Sequence, residues 1–437
     1  MVMNTDKVGR IDRGGVWHPY TRHSAMKAAD FPVIKKGKGV YLFDTEDNRY
    51  VDAISSWWAC NLGHNHPRIV EAIVRQARQL QHSILGNLSH PRAMELAAKL
   101  VSFFSGPCHV VFASDGASAV EAALKIAIQY WHNLGHPERI RFASLENAYH
   151  GDTLGAVSVG YLEEFHSPFR PVLFPAYRAE SPCCGCCQHG KEPASCNQEC
   201  FDSMLTILEE RAEELAAVIV EPLCQGAAGM RIYDPEYLRR LDLLCKEKGV
   251  LLIVDEIAVG FGRTGKMFAF EHGGIDPDII CLGKSLAGGC LPISATVVKD
   301  KIFETFRDKP KDCTFYHGHT FSGNPICAAA ALETLNVYEQ EGILKQSEEK
   351  GRLLKDQMAP LSDLPHVVDV RCLGMIGAVE LDEEPSLAHR IRKRLLSQGI
   401  LIRPLGKVVY LMLPLITPED ILISTVEALH HAVEDCS

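Results

Sequence analysis

Short, mostly apolar runs alternate along this chain with stretches whose apolar positions recur every three or four residues. The runs include Val110–Ala113, Arg141–Leu145, Ala217–Glu221, Leu251–Asp255, Ile279–Gly283 and Ser294–Val298. Several lack the alternate polar positions of a half-exposed strand, so they read as strands buried on both faces. Between them lie helical periodicities. Ile69, Ile73, Ala77 and Leu80 share one face of a helix that Pro67 can open, and Pro91–Phe104 follows as a second helix. Ala119–His132 is a third, with Val120, Leu124, Ala127 and Ile128 on one side. Strands alternating with helices over this span predict a mostly parallel α/β sheet with short crossovers.

The flanks differ. The first fifty residues read as strands and turns, with Val16–Thr21 followed by a hairpin of Pro32–Lys35 and Val40–Asp44. Its turn residues are placed at Lys36–Gly39, and a second turn at Glu46–Asn48. Ile54–Trp58 then carries two adjacent tryptophans, and Gly63–Pro67 is a turn. Ser181–Cys200 reads as an insertion before a helix, Phe201–Leu215. From Ile326 to Glu341 a long helix begins the tail. Helices Lys345–Leu361, Ser386–Gln398 and Pro418–Val433 follow, with strands Val367–Leu373, Gly377–Glu380, Leu401–Arg403 and Val408–Leu413.

Composition narrows the function. At 437 residues the chain can bury a large core, and 46% hydrophobic with 23% charged residues is ordinary for a globular protein. A net charge of −10 argues against nucleic acid as the main partner. No apolar run approaches the roughly 20 residues of a membrane helix, and the start MVMNTDKVGRIDRGG lacks a signal-peptide core. A cytoplasmic protein is expected. Sixteen scattered cysteines suit reduced thiols. Six of them, Cys183, Cys184, Cys186, Cys187, Cys196 and Cys200, crowd the insertion. Zinc or an iron–sulfur cluster is one reading. The two CxxC spacings overlap, however, and Cys196 and Cys200 sit at a helix start. The cluster is therefore read as thiols, free or joined by an opportunistic disulfide, and no metal is assigned.

The candidate chemistry lies between residues 250 and 290. One apolar run ends in Asp255–Glu256 and another in Gly283–Lys284, so a carboxylate and an amine leave the carboxyl ends of two strands that can be neighbours. Open α/β sheets bind ligands there. A desolvated lysine can form a Schiff base with an aldehyde cofactor, and a carboxylate facing the pyridine nitrogen of pyridoxal phosphate keeps that ring an electron sink. A phosphate-binding P-loop ending in Gly283-Lys284-Ser285 fails, because its first glycine falls at Asp278. Gly260, Gly262 and Gly265 match GxGxxG, which leaves a dinucleotide-dependent oxidoreductase as an alternative from a different class. The turn Ser114–Ser118, between a strand and a helix, can present backbone N–H groups to a phosphate.

A set of motifs in chain order now carries a resemblance. They are Trp17-His18-Pro19-Tyr20, Ser56-Trp57-Trp58, Tyr149-His150-Gly151-Asp152, Glu221-Pro222, Asp255-Glu256 with Gly260–Gly265, Leu282-Gly283-Lys284 and His317–Phe321. Together they resemble the class III, fold-type I aminotransferases, which use pyridoxal 5'-phosphate. The double tryptophan, the WHPYT start and Arg403–Lys407 with Tyr410-Leu411 are most similar to the branch that converts 8-amino-7-oxononanoate to 7,8-diaminononanoate in biotin synthesis, usually with S-adenosylmethionine as donor. The resemblance implies a seven-stranded, mostly parallel sheet between helices in a large domain (67–325). A smaller α+β domain would come from both chain ends (1–66 and 326–437). It also implies a homodimer with shared active sites.

Carried over by position, the resemblance makes Lys284 the Schiff-base lysine and proton carrier, and Asp255 the partner of the pyridine nitrogen. Tyr149 would lie against the cofactor ring and reach the substrate. Gly116 and Ala117 would give backbone N–H groups to the cofactor phosphate, with His319 and Thr320 arriving from the neighbouring subunit. Tyr20, Trp57, Gly318 and Arg403 would line the substrate site beside Tyr149 and Lys284. An arginine suits the keto-acid carboxylate through paired charge-assisted bonds, and aromatic rings suit an aliphatic stem or a sulfonium donor. Three positions depart from the branch's pattern. Ala117 replaces a hydroxyl residue, Val259 a threonine, and His319 the proline of HGPTF. The last moves the sequence toward relatives that use lysine as donor.

Overall fold

A computed structural model of the protein describes residues 15–23, 31–185, 187–191, 195–307, 312–382 and 386–436. The reading of the extreme N-terminus and Cys186 fall outside them. The strands in chain order begin with β1 (Ile34–Lys38), β2 (Tyr41–Asp44) and β3 (Arg49–Asp52). Then come β4 (Cys108–Ala113), β5 (Arg141–Leu145), β6 (Tyr177–Ala179) and β7 (Leu215–Val220). The short β8 (Cys224–Gln225) and β9 (Arg231–Ile232) precede β10 (Leu251–Asp255), β11 (Ile279–Leu282) and β12 (Ser294–Lys299). The tail holds β13 (Val367–Leu373), β14 (Ile376–Leu381), β15 (Ile400–Leu401) and β16 (Val408–Leu411). The longer helices are α1 (Pro67–Gln79), α2 (Pro91–Val101), α3 (Gly116–Leu134), α4 (Asp202–Arg211), α5 (Pro235–Lys248), α6 (Pro325–Gln340), α7 (Ile343–Met358), α8 (Ser386–Ser397) and α9 (Glu419–Cys436). No helix among the described residues is long and apolar enough to cross a membrane.

Seven strands form the central sheet in the order β4-β12-β11-β10-β7-β5-β6. Within it β12 runs against its neighbours β11 and β4, and the other pairings are parallel. The expected α/β sheet is thus present, with one reversed strand. Every residue of β7 and β10 is buried, which is why these central strands read as continuous apolar runs. Alanine-rich α3 packs one face on the sheet; Asp115 caps its start by accepting from Ser118 N at 2.9 Å, and Gly135 (φ +91) ends it. The two chain ends meet in a second sheet, where β15 pairs with β3 in parallel. A third joins β13, β14 and β16.

Several expected boundaries moved. β1 runs through Lys38, so the turn lies at Gly39–Val40 instead of Lys36–Gly39. Gly37 is there for close approach, since a Cβ would stand 2.7 Å from the His64 side chain. Val16–Thr21 forms no strand, and Tyr20 sits in a turn with φ +49. The helix expected from Phe201 to Leu215 ends at Arg211, because Leu215 already belongs to fully buried β7. β15 stops at Leu401, two residues before Arg403. The strand β6 had no sequence signal; three residues give no periodicity, and only pairing with β5 defines it.

The tryptophan pair adopts a conformation that no propensity predicts. Ser55, Ser56, Trp57 and Trp58 have φ of 47°, 45°, 68° and 71°, a left-handed turn of four L-residues. Each such residue costs roughly 1–2 kcal/mol, so surrounding bonds must hold it. Ser55 Oγ donates to Met412 O (2.6 Å), Ser56 Oγ to Asp52 Oδ2 (2.7 Å) and Trp58 Nε1 to Tyr410 Oη (3.1 Å). Fully buried Arg263 adds a bond to Ser55 Oγ at 3.2 Å. Its Nη1 reaches Met375 O and Leu413 O and its Nη2 also Asn61 Oδ1, while Nε is buried without a partner among the described residues.

Candidate active site

β10 and β11 are parallel neighbours in register, with Asp255 opposite Cys281. Asp255 therefore ends one strand beside the Gly283–Lys284 exit of the next. Successive side chains point to opposite faces of a strand, and the acidic pair divides accordingly. Asp255 lines a cavity, while Glu256 turns into the protein and accepts from Ala269 N (2.9 Å) and Phe270 N (2.8 Å). Burial pushes the Glu256 carboxyl up to about 8.

Asp255 is 4% exposed. Its Oδ1 accepts from Ile257 N at 3.1 Å, and its Oδ2 lies 2.7 Å from Nδ1 of buried His150. A carboxylate only accepts, so Nδ1 carries the proton. Lys284 has φ +42, and its Nζ makes no hydrogen bond or ion pair among the described residues. It lies 4.8 Å from the Trp58 ring centroid. Burial depresses the Lys284 pKa, against the pull of Asp255, Glu221 and Asp152. A surface lysine beside a helix-capping serine is excluded, since Ser285 Oγ donates instead to Trp58 O at 3.2 Å.

The first turn of α3 closes another side of the cavity. Gly116 and Ala117 line it, and a Cβ on Gly116 would come within 2.9 Å of the Ile257 side chain. Free N–H groups and the positive end of the helix dipole meet there. An unpaired amine, a fixed carboxylate and a helix N-terminus facing one space fit an aldehyde-bearing cofactor with an anionic group.

A second cavity shares Trp58, Tyr149, Asp152 and Lys284 with the first, and adds Tyr20, Trp57, Phe165 and Arg403. Tyr149 Oη donates to Asp152 Oδ2 at 3.0 Å, and Tyr20 Oη donates to the other oxygen of that carboxylate. Tyr20 packs edge-on against Trp57 (5.6 Å) and Phe165 (5.4 Å). Its phenol is pushed up to about 12, by burial first and by Asp152 next. Burial raises the Tyr149 phenol too. The Arg403 guanidinium lies 4.3 Å from the Trp57 ring and donates to Tyr20 O at 3.2 Å. No carboxylate pairs with it among the described residues, which leaves its fork available.

Gly116, Ala117, Tyr149, Asp255 and Lys284 are thus brought together, and Tyr20, Trp57 and Arg403 adjoin them. Gly318, His319 and Thr320 are not; all three are exposed and line neither cavity of their own chain. His150, Asp152 and Glu221 stand in the motifs, but their spacing alone assigns them no role. Glu221, 4% exposed, accepts from Tyr149 N (3.0 Å) and Gly226 N (3.1 Å), and burial raises it to about 7. Phe165 gave no signal in the sequence. The GxGxxG run lies in consecutive turns after β10 and opens no helix, which removes the dinucleotide reading.

Residues 24–433 match the aminotransferase class-III family. The chain is similar to the adenosylmethionine-8-amino-7-oxononanoate aminotransferase of Geobacter sulfurreducens, 40% identical over 94% of each chain. The protein of that name from Methanocaldococcus jannaschii is 39% identical over 99% of each. Its crystal structure superposes with a TM-score of 0.92, at 36% identity and 99% coverage of both chains. The omega transaminase of Pseudomonas jessenii in complex with PMP gives 0.92 at 29% identity, with 98% of each chain covered.

Proposed function

The chain belongs to the class-III aminotransferases, and we propose that it uses pyridoxal 5'-phosphate to aminate 8-amino-7-oxononanoate, with S-adenosylmethionine as donor. The observation that carries this reading is the meeting of Lys284, Asp255 and the first turn of α3 on one cavity. The relatives named for that reaction supply the substrate. Bound pyridoxal phosphate supplies an aldehyde that takes up the amino group and a ring that withdraws electrons from the carbon losing its proton.

The chain's residues do the rest. The Gly116 and Ala117 N–H groups bind the phosphate. Asp255, held by His150, orients and charges the pyridine nitrogen. Lys284 Nζ would hold the cofactor aldehyde until the donor amine displaces it. Burial favours the uncharged released amine, which would carry a proton from the donor carbon to the cofactor and, in the second half-reaction, from the cofactor to the ketone carbon. Tyr149 covers the ring. Arg403 binds the keto-acid carboxylate, and Tyr20 and Trp57 wall its aliphatic stem. Gly318, His319 and Thr320 serve the site of a second copy in a homodimer. Their exposure, beside Tyr316 (78% exposed) and Phe321 (59%), supports this assignment.

The test is single-turnover bleaching of the bound cofactor by S-adenosylmethionine against lysine, with mass detection of the diamine. Bleaching by S-adenosylmethionine and formation of 7,8-diaminononanoate are expected. A protein that cannot be loaded with pyridoxal phosphate overturns the reading. Bleaching by lysine alone moves the donor to lysine, the alternative that His319 favours. Lys284→Ala is expected to lose turnover by more than about 10³-fold while still retaining cofactor through the phosphate.

A further inference from the structure

The cysteine-rich insertion lies apart from the active-site cavities. Cys183 is disulfide-bonded, whereas Cys184, Cys187, Cys196 and Cys200 are free thiols. These four line a single pocket closed by Tyr233, Asp234 and Tyr237 at the start of α5. Their spacing is CxxC followed by CxxxC. The overlap that obscured this pattern in the sequence disappears once Cys183 is taken up in a disulfide.

The second pair has the local geometry of a metal knuckle. Gln198 stands in the left-handed region (φ +61), and its N–H donates to Cys196 Sγ at 3.2 Å. A backbone donor aimed at the sulfur two residues earlier stabilises a thiolate. Lys191 lines the same pocket, where its ammonium pairs with Glu199 at 3.5 Å.

We propose that Cys184, Cys187, Cys196 and Cys200 bind one structural zinc ion as a tetrathiolate. Each thiol releases its proton to solvent on ligation, and no electron is transferred. No three of the sulfurs yet lie within 4.8 Å of one another, so ligation draws side chains into other staggered rotamers. The ion pins the insertion to the wall behind the active site. Tyr233 lines the thiol pocket, and its hydroxyl donates to Glu221 O at 2.6 Å. The Glu221 carboxylate in turn holds Tyr149 N.

Metal analysis of the purified, cofactor-loaded protein tests this. One zinc per chain is expected, surviving gel filtration and lost in Cys184→Ser and in Cys200→Ser. His431→Ala should leave it unchanged, which controls for the exposed His430, His431 and Glu434 group on α9. If the serine variants fail to fold, a mercurial titration of the wild type still reads out, because zinc should appear in step with thiol modification. Absence of zinc with the four thiols free on denaturation overturns the proposal. So do disulfides among them, iron in place of zinc, or loss of the zinc in His431→Ala. Metal content does not depend on aminotransferase turnover, so the two readings fail separately.

Discussion

His150 Nδ1 lies 2.7 Å from Asp255 Oδ2, with both side chains buried, although 105 residues separate them in sequence. The pair links the loop after β5 to the end of β10, so the carboxylate facing the cavity is fixed before any ligand arrives. His150→Ala leaves a buried carboxylate oxygen without its donor, at a cost of about 1–3 kcal/mol. Denaturant unfolding should show that loss, and equilibrium dialysis should show faster escape of pyridoxal phosphate. Unchanged cofactor affinity would separate His150 from the orientation of Asp255.

Glu221 titrates at about 7 in the fold against 4.5 when exposed. Its folded pKa is raised, so its stabilising contribution is complete below about 4.5 and is lost as pH rises through 7. Glu221→Gln fixes the uncharged form. It sacrifices one accepted N–H bond at every pH, which is a constant offset. The stability of the wild type relative to the variant should therefore fall between pH 4.5 and 7, by at most about 3 kcal/mol. Urea midpoints across that window measure it, and parallel profiles would contradict the assignment.

Arg403 stacks on Trp57 with its fork unpaired by any carboxylate among the described residues. Arg403→Ala should weaken keto-acid binding by about 2–4 kcal/mol, read as a raised KM with a smaller change in kcat. An unchanged KM for the keto acid removes Arg403 from the substrate site.

Burial brings the Arg263 guanidinium down to about 10, and carbonyl and side-chain oxygens hold it, with no carboxylate partner among the described residues. Arg263→Met leaves those acceptors buried and unmet. Unfolding should show a loss of about 3–5 kcal/mol. The tryptophan fluorescence should also shift, because Ser55 opens the left-handed turn that carries Trp57 and Trp58. A variant with wild-type stability and fluorescence would show that the turn holds itself.

By itself the sequence determined the parallel core of the sheet and the two polar residues at the carboxyl ends of its central strands. Buried parallel strands must be apolar throughout, so β7, β10 and β11 stood out, and Asp255 and Lys284 stood out as polar residues at their ends. Long-range geometry left no such trace. The partner of Asp255, the sharing of Asp152 by two tyrosines and the Arg263 clamp each join residues far apart in the chain. Local spacing cannot encode a contact made by packing. The left-handed turn at Ser55–Trp58 is the sharpest case. Local preference opposes it, and bonds to Asp52, Tyr410, Met412 and Arg263 make it the conformation that lines the site.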